Sequence, residues 1–78
     1  MISQYSQVRL VALHGAPDTY DGYGVNRRVP QVGDVGTVVE IMGAESGETM
    51  YVVECVNDDG STEWIGDFVS SELEAHET

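Results

Sequence analysis

No lysine occurs in this 78-residue chain, and Arg9, Arg27 and Arg28 are its only fixed cations. Neutralising nucleic-acid phosphates takes Lys or Arg in number, so the scarcity argues against direct binding to nucleic acid. Attraction to an anionic membrane surface is disfavoured for the same reason. Cysteine is nearly as scarce: Cys55 stands alone, no internal disulfide can form, and the domain has to hold together by packing at a size where cores become marginal. Long apolar runs are missing too. No stretch approaches the roughly 20 apolar residues of a membrane span, and the opening MISQYSQVRLVAL has neither the basic start nor the apolar length of a secretory signal. A cytoplasmic protein with no membrane partner is expected.

What is present in excess is carboxylate. Fourteen Asp and Glu residues give a net charge of −11, while an apolar content of 41% places the chain among globular rather than disordered sequences. One domain spanning 1–78 is expected, monomeric or in a small homo-oligomer.

The hydrophobic period is that of strands. Gln7 to Leu13 (QVRLVAL) is a β-branched and aliphatic run that stops at the turn formers of His14 to Asp18. Asp34 to Met42 (DVGTVVEIM) is a second strand, with Gly36 placed where a bulge or a close backbone approach suits a residue without Cβ. After a turn over Gly43 to Gly47, Glu48 to Val56 (ETMYVVECV) alternates so that Tyr51, Val53 and Cys55 face a core and Glu54 faces out. Asn57-Asp58-Asp59-Gly60 supplies a hairpin turn with Gly60 at positive φ, and Ser61 to Ile65 returns as its partner, making a hairpin over 48–65. Ser70-Ser71-Glu72 suits one helical turn or the lead into a short closing strand at Leu73, with 74–78 as a frayed tail. Between the first two strands, residues 14–33 carry Gly22, Gly24, Asn26, Pro30 and Gly33 with no period of either kind, so they form one long loop. Loops of that length in compact domains are often functional, which singles out Tyr20 and Tyr23 within it. The sum is an all-β fold, a small and strongly curved sheet of about five antiparallel strands, closed or nearly closed on itself and so relieved of exposed edges.

Gly33-Asp34-Val35-Gly36-Thr37-Val38-Val39-Glu40-Ile41 resembles the glycine-punctuated strand of SH3-like barrels, including the KOW type. Together with Tyr51 to Val56, the turn Asp58-Asp59-Gly60-Ser61-Thr62 and the strand from Val8 to Leu13, the chain is similar over residues 7–73 to a family of small uncharacterised bacterial proteins with this barrel. Two features depart from that pattern. Cys55 stands where an aromatic residue is common, and the 14–33 loop is longer than usual, so a partner site on it would be particular to this chain. Small acidic barrels of this kind occur among immunity and toxin-neutralising proteins, and the resemblance implies that role. KOW modules usually bind RNA or ribosomal protein, and the charge here contradicts RNA.

No set of residues in the sequence points to catalysis. The acids fall on turns and outward strand positions (Glu40, Glu45, Glu48, Glu54, Asp58, Asp59, Glu63), where they are expected to form a solvated acidic face rather than a catalytic pair. Cys55 is expected to pack as a small hydrophobe. His14 and His76 lack the paired spacing of a zinc site and read as surface imidazoles. Setting Gly60 at the sixth position of an EF-hand loop puts Cys55 at the first ligand and Gly66 at the twelfth, which fails. Gly22-Tyr23-Gly24 and Gly33-Asp34-Val35-Gly36 lack the Lys and following helix of a phosphate loop. No catalytic residue, metal or cofactor is expected. Arg27-Arg28 is expected to pair internally with acids such as Asp18 or Asp21 and fasten the loop. In Glu63-Trp64-Ile65 one of the two apolar residues must face out; an outward Trp64 would lie among Glu63, Asp58, Asp59 and Glu54, an aromatic-within-acid arrangement suited to a binding hot spot. The candidate partner-binding residues are Tyr20, Asp21, Tyr23, Glu54, Asp58, Asp59, Glu63 and Trp64. The sequence is thus best read as a non-catalytic immunity or inhibitor protein covering the positive surface of a basic toxin or nucleic-acid-handling enzyme, as a nucleic-acid mimic. The alternative is a small accessory subunit of a larger bacterial assembly.

Overall fold

The computed structural model describes residues 2–43 and 47–76. Five strands occur in it: β1 (Gln7–Leu10), β2 (Val35–Gly43), β3 (Thr49–Val56), β4 (Thr62–Phe68) and β5 (Leu73–Ala75). They form one antiparallel sheet in the order β4-β3-β2-β1-β5. Single 3-10 turns occupy Pro17–Tyr20, within the long β1–β2 connection, and Ser70–Glu72, between β4 and β5. The all-β fold, the hairpin and the long loop are as expected. The turn expected over Gly43 to Gly47 falls largely on residues 44–46, outside the described residues, as does Glu45.

Three boundaries differ from expectation. β1 ends at Leu10 rather than Leu13, because the next amides leave the ladder: Val11 N donates to the Glu72 carbonyl at 2.8 Å, while Gly33 N donates to the Leu10 carbonyl. β4 runs on to Phe68, so the hairpin extends beyond Ile65. Residues 74–76 are not frayed. Glu74 and Ala75 pair with Arg9 and Val8, and His76 N donates to the Gln7 carbonyl at 3.0 Å; 77–78 lie outside the described residues.

The expectation is a barrel closed or nearly closed; the sheet is not closed, since among the described residues no ladder joins β4 to β5. Both edges are managed another way. The free edge of β4 is covered by the long loop, whose Arg27 N donates to the Glu63 carbonyl at 2.8 Å and whose Asn26 Oδ1 accepts from Ile65 N at 2.9 Å. The other edge, β5, is only three residues long, too short to template another strand.

Alternation along the strands puts Val8, Leu10, Val38, Val53, Cys55, Trp64, Phe68 and Leu73 into one core, with Tyr20 of the loop added. Phe68 lies between two aromatic rings, stacked on Tyr20 at 5.0 Å and meeting Trp64 edge-on at 5.6 Å. Trp64 is fully buried. The register Cys55↔Trp64 turns it to the core face and leaves Ile65 opposite Glu54 on the outer face, so Trp64 cannot be the exposed hot spot. Its indole N–H still finds a partner, Asp34 Oδ2 at 3.0 Å.

Gly36 is a close approach, one of the two roles foreseen for it. A Cβ there would lie 2.7 Å from Val53 Cγ1 and 2.8 Å from the Glu54 carbonyl oxygen, while the bulge of β2 falls at Val39. Because one of those neighbours is backbone in a central strand, relief is expensive. Gly36→Ala is expected to lower stability by about 1–3 kcal/mol, read as a drop in the denaturant midpoint with an unchanged slope.

Candidate functional site

A connection as long as that between Leu10 and Val35 has few ladder bonds to order it, and two carboxylates do so instead. The first is Asp34. Its Oδ2 accepts from Arg28 Nη1 at 2.7 Å, from Gln31 N at 2.9 Å and from the Trp64 indole. Burial opposes its ionisation, but the Arg28, Gln31 and Trp64 donors outweigh it and hold the Asp34 carboxyl below its usual 3.8. The second is Glu72, the one buried charged side chain among the described residues, at 3% exposure. Glu72 Oε1 accepts from Val69 N at 2.9 Å, and Oε2 accepts from His14 N at 3.0 Å and from the Tyr20 hydroxyl. Burial, and then this bond to Glu72, push the Tyr20 hydroxyl above its ordinary pKa.

The arginine pair is held internally, but by other partners than expected. Arg28 takes Asp34 rather than Asp18 or Asp21, and Arg27 reaches Ser61 Oγ at 3.5 Å. Asp21 is occupied locally, accepting from Asn26 N at 3.2 Å.

The structure separates the candidate binding residues. Tyr20 packs against Phe68 in the core, and the 8% of its surface left exposed lines a cleft between the loop and the β4–β5 connection; Trp64, fully buried, presents no surface to a partner. Asp21 is exposed. Tyr23 is 47% exposed and donates to Asp67 Oδ1 at 2.9 Å. Asp67, Val52 and Glu40 share one cross-strand row, so the aromatic held among acids on the surface is Tyr23. Glu54 is half-buried and accepts from the Thr62 hydroxyl. Asp58, Asp59 and Glu63 do come together, around an open concavity of about 460 Å³ completed by Arg28, Cys55, Val56 and Asn57. Asp59 accepts from Ser61 N at 2.9 Å and Ser61 Oγ at 2.6 Å, bonds that lower its pKa and fix the turn.

A larger cleft, of about 530 Å³, lies between the loop and the β4–β5 connection, lined by His14, Thr19, Tyr20, Glu48, Met50, Asp67, Val69, Ser71 and Glu72. Apart from Tyr20, none of these was among the candidate binding residues. They come from segments far apart in the chain, and no local spacing links them. At its mouth His14 Nε2 lies 3.0 Å from Ser71 Oγ. No three His, Cys, Asp or Glu side chains converge as metal ligands among the described residues. Cys55 is buried, and burial, reinforced by nearby Asp34, pushes its thiol up and away from the reactive thiolate.

Fold and surface together define a small antiparallel all-β domain with acid-lined concavities on its surface. Comparison with family models, curated proteins and solved structures finds no match to this chain.

Because Asp34 is more acidic folded than unfolded, its contribution to stability is present above the unfolded carboxylate pKa and is lost as pH falls through the lower folded value. Thermal melts in acid should show this, and Asp34→Asn, less stable at neutral pH by about 1–3 kcal/mol, should show a shallower fall below about pH 4. An equal fall in both proteins would contradict the role given to Asp34.

Proposed function

We propose that the protein is a non-catalytic, acidic protein-binding module of the immunity or inhibitor type, related to the SH3-like family it resembles, that covers the positive surface of a basic toxin or nucleic-acid-handling enzyme. One observation carries the reading: acids are displayed while two of the three arginines are paired with carboxylates. Arg9 is paired with Glu74 at 3.2 Å and Arg28 with Asp34 at 2.7 Å, whereas Asp58 and Asp59 stand exposed beside Glu63 on one concave face. A surface with excess charge of one sign steers a partner of the opposite sign and rejects its own kind, which speeds encounter more than it deepens affinity. Affinity then comes from anchors between the charges, and Tyr23, half-exposed and held by Asp67, has the chemistry of one. The described residues contain no helix long and apolar enough to cross a membrane, and nothing in this reading calls for a membrane, a cofactor or direct contact with nucleic acid.

Two measurements test it. Co-expression with the product of the adjoining gene, where an immunity protein's toxin is usually encoded, should yield a complex whose affinity falls as salt rises, and the triple variant Asp58→Lys/Asp59→Lys/Glu63→Lys should bind at least about tenfold more weakly. Binding that survives the reversal and ignores salt would contradict the electrostatic basis. The same unmatched charge should strain the free protein, so its melting temperature should rise between about 10 mM and about 150 mM sodium chloride as repulsion is screened; an unchanged or lower value would count against a self-repelling surface.

A further inference from the structure

We infer that the cleft between the long loop and the β4–β5 connection seats an arginine side chain of the basic partner. This rests on the protein-binding reading above but assigns the contact to a different face from Asp58, Asp59 and Glu63.

The cleft has the two parts such a side chain needs. Met50, Val69 and Tyr20 give it an apolar lining for a methylene stem, and Glu48 and Asp67 supply carboxylates. None of the three arginines lines it. The third acid, Glu72, already receives three donors from within the chain, so it adds negative potential to the cleft wall rather than an acceptor. Asp67 differs: Tyr23 takes one of its oxygens, and among the described residues no donor takes the other. Glu48 is exposed and forms no ion pair among the described residues. The arrangement is therefore a cleft with an apolar side, two carboxylates and no arginine among its lining residues.

Guanidinium fits this better than ammonium. Its planar fork presents five donors and can engage two carboxylates at once, and it is less strongly hydrated than a lysine head, so it gives up less on entering a partly apolar cleft. The Tyr23–Asp67 bond then acts as a support that holds one carboxylate in place at the cleft.

The probe is n-butylguanidinium, which carries the head and stem of the side chain without a peptide. Titrated into the ¹⁵N-labelled protein against sodium chloride of matched ionic strength, it should shift the amides of Tyr20, Met50, Asp67 and Ser71 saturably. The double variant Glu48→Gln/Asp67→Asn, altered only at positions outside the core, should keep its amide spectrum and bind at least tenfold more weakly. Equal binding by n-butylammonium would overturn the choice of arginine. Shifts confined to Asp58, Asp59 and Glu63 would overturn the cleft and leave the acidic-surface reading standing. Loss of partner binding on reversing Asp58, Asp59 and Glu63, with no effect of Glu48→Gln/Asp67→Asn on that binding, would likewise remove the cleft alone. No saturable shift at any residue would overturn the cleft, and binding of the basic partner that also ignored salt would remove both readings.

Discussion

The burial of Glu72 is the constraint on which the arrangement of this chain depends. A carboxylate taken out of water costs several kcal/mol unless its oxygens are met by donors, and here the donors come from three places: Val69 just after β4, His14 just beyond β1, and Tyr20 in the 3-10 turn of the loop. Meeting that requirement brings the β4–β5 connection, the exit of β1 and the first half of the loop to one point. The backbone adds to the knot, since the Glu72 carbonyl takes the Val11 amide that would otherwise continue the β1 ladder. Tyr20 is drawn over Phe68 as a result and becomes core. Asp34 does the same for the second half of the loop, fastening Arg28 and Gln31 to the indole of Trp64.

The loop pinned between these two carboxylates solves the problem that barrel closure was expected to solve. β4 is an edge strand, and with no lysine available to guard it, an uncovered ladder of amides and carbonyls would invite pairing with other chains. Asn26 and Arg27 occupy that edge. The same loop carries Tyr23 to Asp67 and forms one wall of the larger cleft. Structural and proposed functional roles therefore fall on one segment, because a segment held at both ends by buried or partly buried charge can present side chains between those points with little freedom lost on binding.

Much of the fold was legible in the chain before any coordinates. Alternation around Val53 and Cys55, the Asn57 to Gly60 turn and the Gly36 approach are short-range patterns, set by the period of a strand and by the steric needs of single residues. Less of the site was legible. Asp58, Asp59 and Glu63 share a turn and do converge, but Trp64, whose face the sequence left open, and Tyr20, read as a loop contact, both pack into the core. The reason for Trp64 is specific: the β3–β4 register shifts between Cys55 and Val56, so that Glu63 is an extra residue on β4. A one-residue slip reverses the face of every side chain beyond it, and nothing local to Glu63-Trp64-Ile65 announces it.

By itself the sequence determined the class of fold, the placing of four strands and the hairpin turn, and the sign of the surface, because each follows from interactions within a few residues or from a simple sum of charges. The tertiary structure alone decided which charges are spent and which are free. Arg28 could have met Asp18 or Asp21 but met Asp34, and Glu72 became a buried hub although Ser70-Ser71-Glu72 suggested only a helical turn or the lead into a short closing strand. Those outcomes depend on contacts across 6 residues for Arg28 and Asp34, and across 52 and 58 for Glu72 with Tyr20 and His14. At the longer separations the choice among carboxylates is made by how the loop folds back on the sheet and how much water it excludes, and composition carries no information about either.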